Sequence, residues 1–374
     1  MIYLDNNATT LLDPEVFEAM KPFLSSMVGN PSSVHRCGQQ AKGALSEAVR
    51  QCAHFFKVRS DEIVFTSGAT EALNFVIRSV PRGSHVITSA LEHAAVLEPL
   101  KHAGCEVTYL YPESGQGAIN LAQVQDALRP QTRMIILTAV NNETGVKTDY
   151  ISIAALAERM SIPFVIDGVA LLGKEPFILP KGVWAACFSG HKIHGPLGVG
   201  IAVIRKTHKA HSLIVGGAQQ RGLRAGTENL PAIIGFAKAL DLLSQHGQKW
   251  AQQMALLRDH FENELSAAIP DLIVHGLDLQ RVCNTSHVAF PGMDGETLLM
   301  TLDLAGLATS HGAACASGTL EPSRVLLNMG IAPALARSSL RFSLSRMTTR
   351  AEIDSAVSLI AEAVARLQQF TVHA

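Results

Sequence analysis

The sequence predicts an α/β fold, a large sheet domain followed by a smaller α+β domain. Three observations predict it: short apolar runs alternating with helix-like stretches, long helical periodicity from about residue 231, and a mixed strand-and-helix remainder. The apolar runs are rich in β-branched residues, are bounded by Gly, Pro, Ser or Asp, and lie at 62–66, 85–88, 106–110, 134–138, 164–167, 185–189 and 200–204. They read as buried strands. Helix-like stretches at 70–79, 94–103, 121–128 and 151–160 separate most of them. From 231 to 269 the apolar residues Ile233, Phe236, Ala237, Leu240, Leu257, Phe261 and Leu265 recur on helical faces, which reads as a linker helix pair. The remainder, 272–374, contains strand-like runs at 286–290 and 340–344 and ends in helices.

Composition agrees with a folded two-domain chain. Its 374 residues are 47% hydrophobic and 17% charged, enough for one large core and a smaller one. The 31 basic and 32 acidic residues nearly cancel, and no run of Lys or Arg forms a nucleic-acid stripe or a polybasic membrane patch. The start, Met1-Ile-Tyr-Leu-Asp-Asn-Asn, has no basic, apolar or Arg/Ser-rich leader, and no apolar run is long enough to span a bilayer. A soluble, cytoplasmic protein is expected. The six cysteines, at 37, 52, 105, 187, 283 and 315, form no Cys-x-x-Cys pair and no Cys/His cluster at zinc-like spacing, so no metal site is expected.

The densest local signal is Ser189-Gly190-His191-Lys192-Ile193-His194-Gly195-Pro196-Leu197-Gly198-Val199-Gly200, at the end of a predicted strand. A lysine among such small residues can approach a planar ligand closely. Alone, it reads as a loop lysine beside a glycine turn. Asp167, which ends the run Phe164-Val165-Ile166, shifts the balance. Pyridoxal phosphate needs an amine for a Schiff base and a carboxylate to keep its ring nitrogen protonated. Cys315 stands in Ser310-His311-Gly312-Ala313-Ala314-Cys315-Ala316-Ser317-Gly318, small residues without apolar periodicity, which suits a mobile loop. Cys105 and Cys187, in strand-like runs, read as small buried cysteines, and so do Cys37, Cys52 and Cys283.

A series of further segments carries a family resemblance. They are Tyr3-Leu4-Asp5-Asn6-Asn7-Ala8-Thr9-Thr10, Gly29-Asn30-Pro31-Ser32-Ser33, Thr66-Ser67-Gly68-Ala69-Thr70-Glu71, Glu92-His93 and Asn141-Asn142-Glu143-Thr144-Gly145, then Arg224-Ala225-Gly226-Thr227 and Leu340-Arg341-Phe342-Ser343-Leu344. With the Lys192 and Cys315 segments they resemble, in order and over essentially the whole chain, the cysteine desulfurases of the NifS/IscS type. The resemblance implies the fold type I architecture of pyridoxal-phosphate enzymes: a mostly parallel seven-stranded sheet flanked by helices over 13–245, and a small domain of 1–12 plus 246–374.

The resemblance also implies roles. Lys192 would carry the cofactor and move the substrate Cα proton. Asp167 would pair with the ring nitrogen, and His93 would stack on the ring; without the resemblance His93 reads as a solvent-facing residue at a helix start. The phosphate would meet the strand-to-helix turn at Ala69 and Thr70, the side chains of Ser189 and His191, and Thr227 from a neighbouring subunit, so a homodimer is implied. Asn142 would contact cofactor and substrate. Arg341 would hold the substrate carboxylate bidentately, helped by Asn30 and Asn142; its ordinary alternative is a surface salt bridge to an acid. Cys315 would take the sulfur of L-cysteine as a persulfide, leaving L-alanine, and hand it to an acceptor or scaffold protein in iron-sulfur cluster or thio-cofactor synthesis.

Three positions depart from the family pattern. Ala170 stands where a glutamine usually donates to the cofactor's phenolic oxygen, Leu73 where an aspartate is common, and His311-Gly312-Ala313-Ala314 where Ser-Gly-Ser-Ala is usual. His311 either lowers the thiol pKa or fills space. The competing readings are a selenocysteine lyase or aminotransferase on the same scaffold, and a non-catalytic homologue motivated by Ala170. Transamination needs no thiol in such a loop.

Overall fold

The computed structural model describes residues 1–113, 116–311 and 321–371. In chain order it begins with β1 (Ile2–Tyr3), α1 (Pro14–Ser25), α2 (Arg36–Phe56), β2 (Ile63–Thr66), α3 (Ala69–Ile77), β3 (His85–Ser89), α4 (Ala94–His102) and β4 (Glu106–Leu110). It continues through α5 (Leu121–Asp126), β5 (Thr132–Thr138), α6 (Tyr150–Met160), β6 (Phe164–Asp167), β7 (Val183–Ser189), β8 (Gly200–Ile204) and α7 (Leu230–Ala268). It ends with β9 (Ile273–Val274), β10 (Thr285–Ala289), α8 (Gly295–Leu304), β11 (Leu307–Ala308), α9 (Arg324–Asn328), α10 (Pro333–Arg337), β12 (Ser339–Ser343) and α11 (Arg350–Thr371).

The central sheet has seven strands in the order β2-β8-β7-β6-β5-β3-β4. It is parallel from β4 to β7, and β8 runs antiparallel to both its neighbours. β2, β3, β6, β7 and β8 are buried along their whole length, because helices cover both faces; that is why they read as unbroken apolar runs rather than alternating ones. One face packs against α1, α2, α6 and the first half of α7 through Val16, Cys52, Phe56, Ile153, Phe236 and Leu240. The other packs against α3 and α4 through Leu73, Val76, Val96 and Leu100. A separate core joins Leu4, Phe261, Leu265, Val288, Phe342 and Ile360 around the small antiparallel sheet β12-β10-β9.

The helix pair expected over 231–269 is one continuous helix of 39 residues. It runs straight through Gly247, whose helical cost of about 1 kcal/mol is small beside the packing at both ends: Phe236 and Leu240 bury in the large core, Phe261 and Leu265 in the small one. Two cysteine expectations are also corrected. Cys37, in the first turn of α2, is exposed, and Cys105 is half-buried one residue before β4 rather than inside it. Cys52, Cys187 and Cys283 are buried. Among the described residues no helix is long and apolar enough to cross a membrane, and no three His, Cys, Asp or Glu side chains are grouped to hold a metal ion.

Candidate active site

A cavity of about 430 Å³ opens over the ends of the sheet strands. It lies where parallel α/β sheets characteristically bind ligands, outside the carboxyl ends of the strands. β2 delivers Ser67 and Gly68, β5 leads to Asn142, β6 ends on Asp167 and β7 on Ser189. Two close approaches shape this rim. A Cβ on Gly200 would sit 2.5 Å from the Gly68 carbonyl carbon, so only glycine lets β8 run against the turn that opens α3. A Cβ on Gly168 would sit 2.2 Å from the Phe188 ring, so the chain after Asp167 can turn only with glycine there.

Ala69, Thr70, His93 and Asn142 line the cavity, as do Asp167, Ser189, His191 and Lys192. These are eight of the residues expected from sequence. Asp167 is 6% exposed and its carboxylate accepts one main-chain hydrogen bond, from Val169 N–H at 3.0 Å. Burial pushes its carboxyl pKa up, against the pull of that bond, His93 and Lys192. A cation placed in the cavity beside it would oppose that shift.

Lys192 sits in a one-turn helix directly after β7. Its Nζ donates to the carbonyl of Asn7 and, at 2.8 Å, to that of Ala8. Burial first, then the positive charges of Arg341 and Lys174, push its pKa down to about 8, against Asp5 and Asp167. Thr10 ties the same N-terminal segment to the lysine turn, its hydroxyl donating to His191 O and accepting from His194 N–H, both at 2.8 Å. His194 holds a left-handed backbone at φ 62, an uncommon conformation for a histidine and one that closes this turn. Burial and Lys192 push His191 down to about 4, so its ring is neutral, with Nδ1 3.1 Å from Thr9 Oγ1.

The start of α3 is open to an anion. Its N-cap is Gly68, which contributes no side-chain cap, so the first-turn N–H groups and the helix dipole face the cavity beside Thr70. Glu71, the acid in this turn, also lines the cavity, but its charge is taken up by Ser67 N–H at 2.8 Å and by Arg224 at 2.9 Å. His93 is the N-cap of α4, its Nδ1 accepting from Ala95 N–H at 3.0 Å. That bond places any proton of the neutral ring on Nε2 and holds the ring toward the cavity.

Arg341, on β12, is 3% exposed. It does pair with an acid, Asp5 at 2.7 Å, but as a buried pair rather than a surface one. Its Nη1 donates to Asn142 O at 3.1 Å, which places the guanidinium behind the cavity wall, and its Nε has no hydrogen-bond partner among the described residues. Asn30 and Thr227 do not line the cavity; both are exposed in the single chain, and the Asn30 side chain accepts from Ser32 N–H at 2.9 Å. Cys315 lies outside the described residues. Ala170 and Leu73 do line the cavity and bring no side-chain donor to it. His311 is buried and its Nε2 donates to Arg337 O at 2.9 Å, so its ring is held against the end of α10.

Sequence reasoning missed the weight of Glu92 and Asp5. Glu92 is fully buried, accepts from Ser89 Oγ at 2.6 Å and from the Thr138 main-chain N–H, and burial pushes its carboxyl up to about 8. Both stand inside segments already singled out, but only contacts across the fold reveal what they touch.

Comparison with known proteins gives a consistent family of relatives. The profile of the aminotransferase class-V family matches residues 2–356. Cysteine desulfurase 2 of Trichormus variabilis is 41% identical, covering 98% of this chain and 94% of that protein. Cysteine desulfurase IscS of Dictyoglomus turgidum is 39% identical, covering 100% and 96%. Among solved structures, a NifS-like protein superposes with a TM-score of 0.90 at 33% identity, covering 97% of this chain and 99% of that one. SspA in complex with cysteine superposes with a TM-score of 0.82 at 31% identity, covering 93% and 100%.

Proposed function

The chain belongs to the aminotransferase class-V family and is a pyridoxal-phosphate-dependent cysteine desulfurase, and on that premise we propose how its own residues divide the work. The observation that carries the assignment is a buried carboxylate, Asp167, and a half-buried amine, Lys192, lining one cavity that an uncapped helix start also borders. When bound, pyridoxal phosphate supplies an electron sink for the substrate's Cα. Asp167 would keep its ring nitrogen protonated, His93 would lie against its ring, and the N–H groups at Ala69 and Thr70 with Ser189 and His191 would hold its phosphate. Lys192 would anchor the cofactor and would move a proton to and from the substrate Cα.

Arg341, helped by Asn142 and Asn30, takes the carboxylate of L-cysteine. To use its Nη2 the substrate displaces Asp5, and the Nε, which has no partner among the described residues, gives the planar fork a second donor. The Cys315 thiolate then attacks the substrate sulfur. A sulfur–sulfur bond forms, the carbon–sulfur pair moves to the carbon side, and protonation releases L-alanine. Cys315 keeps the sulfur as a persulfide for an acceptor or iron-sulfur scaffold protein. We place the enzyme in the cytoplasm and divide it at 13–245 against 1–12 plus 246–374.

A second copy of the chain completes the site in this reading. Leu197 is 72% exposed although it lines the cavity, and Leu11 and Val215 are 71% and 84% exposed. A partner covering them would bring Thr227 to the phosphate of the other subunit. The test of the whole assignment is direct: purified protein supplied with L-cysteine and an excess of a dithiol, which reduces the persulfide and is itself oxidised to a disulfide, should release alanine and sulfide in equal amounts. A protein that held the cofactor and released neither would be a non-catalytic homologue.

Two expected results follow from the cavity's chemistry. Below its pKa the Lys192 ammonium has no lone pair, so covalent capture of pyridoxal phosphate by the apoprotein should rise about tenfold per pH unit and level off above about pH 8. A rate flat from pH 6 to 9, followed by absorbance, would remove the depressed amine from the account. Ala170→Gln adds a donor beside Asp167 and should tighten cofactor binding by about tenfold, the worth of one hydrogen bond to a charged oxygen. An unchanged dissociation constant would mean another group already serves that oxygen.

A further inference from the structure

We propose that Arg324 is a positioning residue for His93, holding from α9 the main-chain segment on which that ring is mounted. The inference rests on the stacking role of His93 proposed above. β3 ends at Ser89, so the carbonyls of Ala90, Leu91 and Glu92 have left the sheet ladder and need partners elsewhere. All three receive side-chain donors. Arg324 Nη1 and Asn328 Nδ2 donate to Ala90 O, the latter at 2.9 Å. Asn141 Nδ2 donates to Leu91 O at 3.5 Å, and Arg324 Nη2 donates to Glu92 O at 2.6 Å.

One guanidinium thus spans two carbonyls on either side of Leu91, immediately before His93. Its planar fork suits that task, whereas a lysine ammonium is a single point donor on a flexible stem. α9 is itself well fixed. Ser323 Oγ caps it, accepting from Val325 and Leu326 N–H at 3.1 and 3.2 Å, and donates to Glu143 Oε2 in the turn that carries Asn142. Leu91 packs into a small apolar cluster with Val325, Leu326 and Met329. The His93 segment is therefore clamped from two sides, by its own strand and by a helix more than 230 residues further along the chain. A shift of α9 would be passed to the His93 ring, and misplacement of about 1 Å can cost as much as a hundredfold in rate.

The test uses the holoenzyme and reads kcat and KM for L-cysteine, the melting temperature, and the visible circular dichroism of the bound cofactor, which reports how its ring is held. Arg324→Ala should lower kcat about tenfold with KM changed less than about threefold. The visible band should fall by roughly half, and Arg324→Lys, which can satisfy one carbonyl, should lie between the two. In a double variant with His93→Ala the losses should overlap rather than multiply, since both act through one ring. An unchanged band and kcat in Arg324→Ala, or losses that multiply in the double variant, would overturn the proposal. If Arg324→Ala fails to fold, Arg324→Lys and Asn328→Ala carry the same readouts at retained melting temperature, and an unchanged band in both would likewise overturn it. If His93→Ala alone left the band unchanged, the stacking role would be what fails.

Discussion

Replacing Lys192 with alanine is expected to cut alanine formation from L-cysteine by at least about 10²–10⁴-fold, the contribution of a positioned general acid–base group. The amine lines the cavity, and its pKa is pushed down to about 8. Its depression has a definite source. Burial removes water from the ammonium, and the cations of Arg341 and Lys174 oppose its charge, while the Asn7 and Ala8 carbonyls receive its protons. Arg should not substitute, because a guanidinium stays charged and cannot return a proton at this pH. Lys192→Arg is therefore expected to fall as far as Lys192→Ala, and a small primary amine added to the alanine variant should restore part of the rate. A Lys192→Ala protein that kept a tenth of wild-type turnover would end this account of the site.

Replacing Cys315 with alanine should abolish sulfur transfer, with turnover down roughly 10³-fold or more, while cofactor binding and its absorption stay as in the wild type. No other cysteine of the described residues can take over. Burial holds the thiols of Cys52 and Cys187 well above their ordinary range and pushes Cys283 up to about 11. Cys105 is also raised, and none of them lines the cavity. Cys37 is exposed but starts α2, away from the cavity lining. A thiolate is the nucleophile, so buried thiols of raised pKa are inert. Alanine and sulfide measured over time, with the persulfide trapped by alkylation, decide the matter. Full turnover by Cys315→Ala would mean that sulfur leaves without passing through this thiol.

Much of the site was legible in the chain because its residues stand at strand ends, and strand ends are where sequence patterns break. Asp167 closes a run of three buried apolar residues, and Lys192 follows a seven-residue buried strand. The strand runs were legible for a related reason: helices cover both faces of the sheet, so its buried strands carry continuous apolar sequence. The alternation failed where burial is shared between distant elements. α7 is unbroken because each half packs into a different core, which no local window across Gly247 can register.

The sequence by itself determined the fold class and the strands of the central sheet, and it singled out the amine, the carboxylate and the thiol proposed for the chemistry, because each is written in a contiguous segment. Only the tertiary structure decided what surrounds them. Arg341 meets Asp5 across 336 residues, Lys192 meets Asn7 across 185, and Arg324 meets Ala90 across 234. These contacts set how far the lysine's pKa is depressed, where the arginine fork points and what holds the histidine. The physical reason is that burial and Coulomb interaction depend on distance in space, which separation along the chain does not reveal.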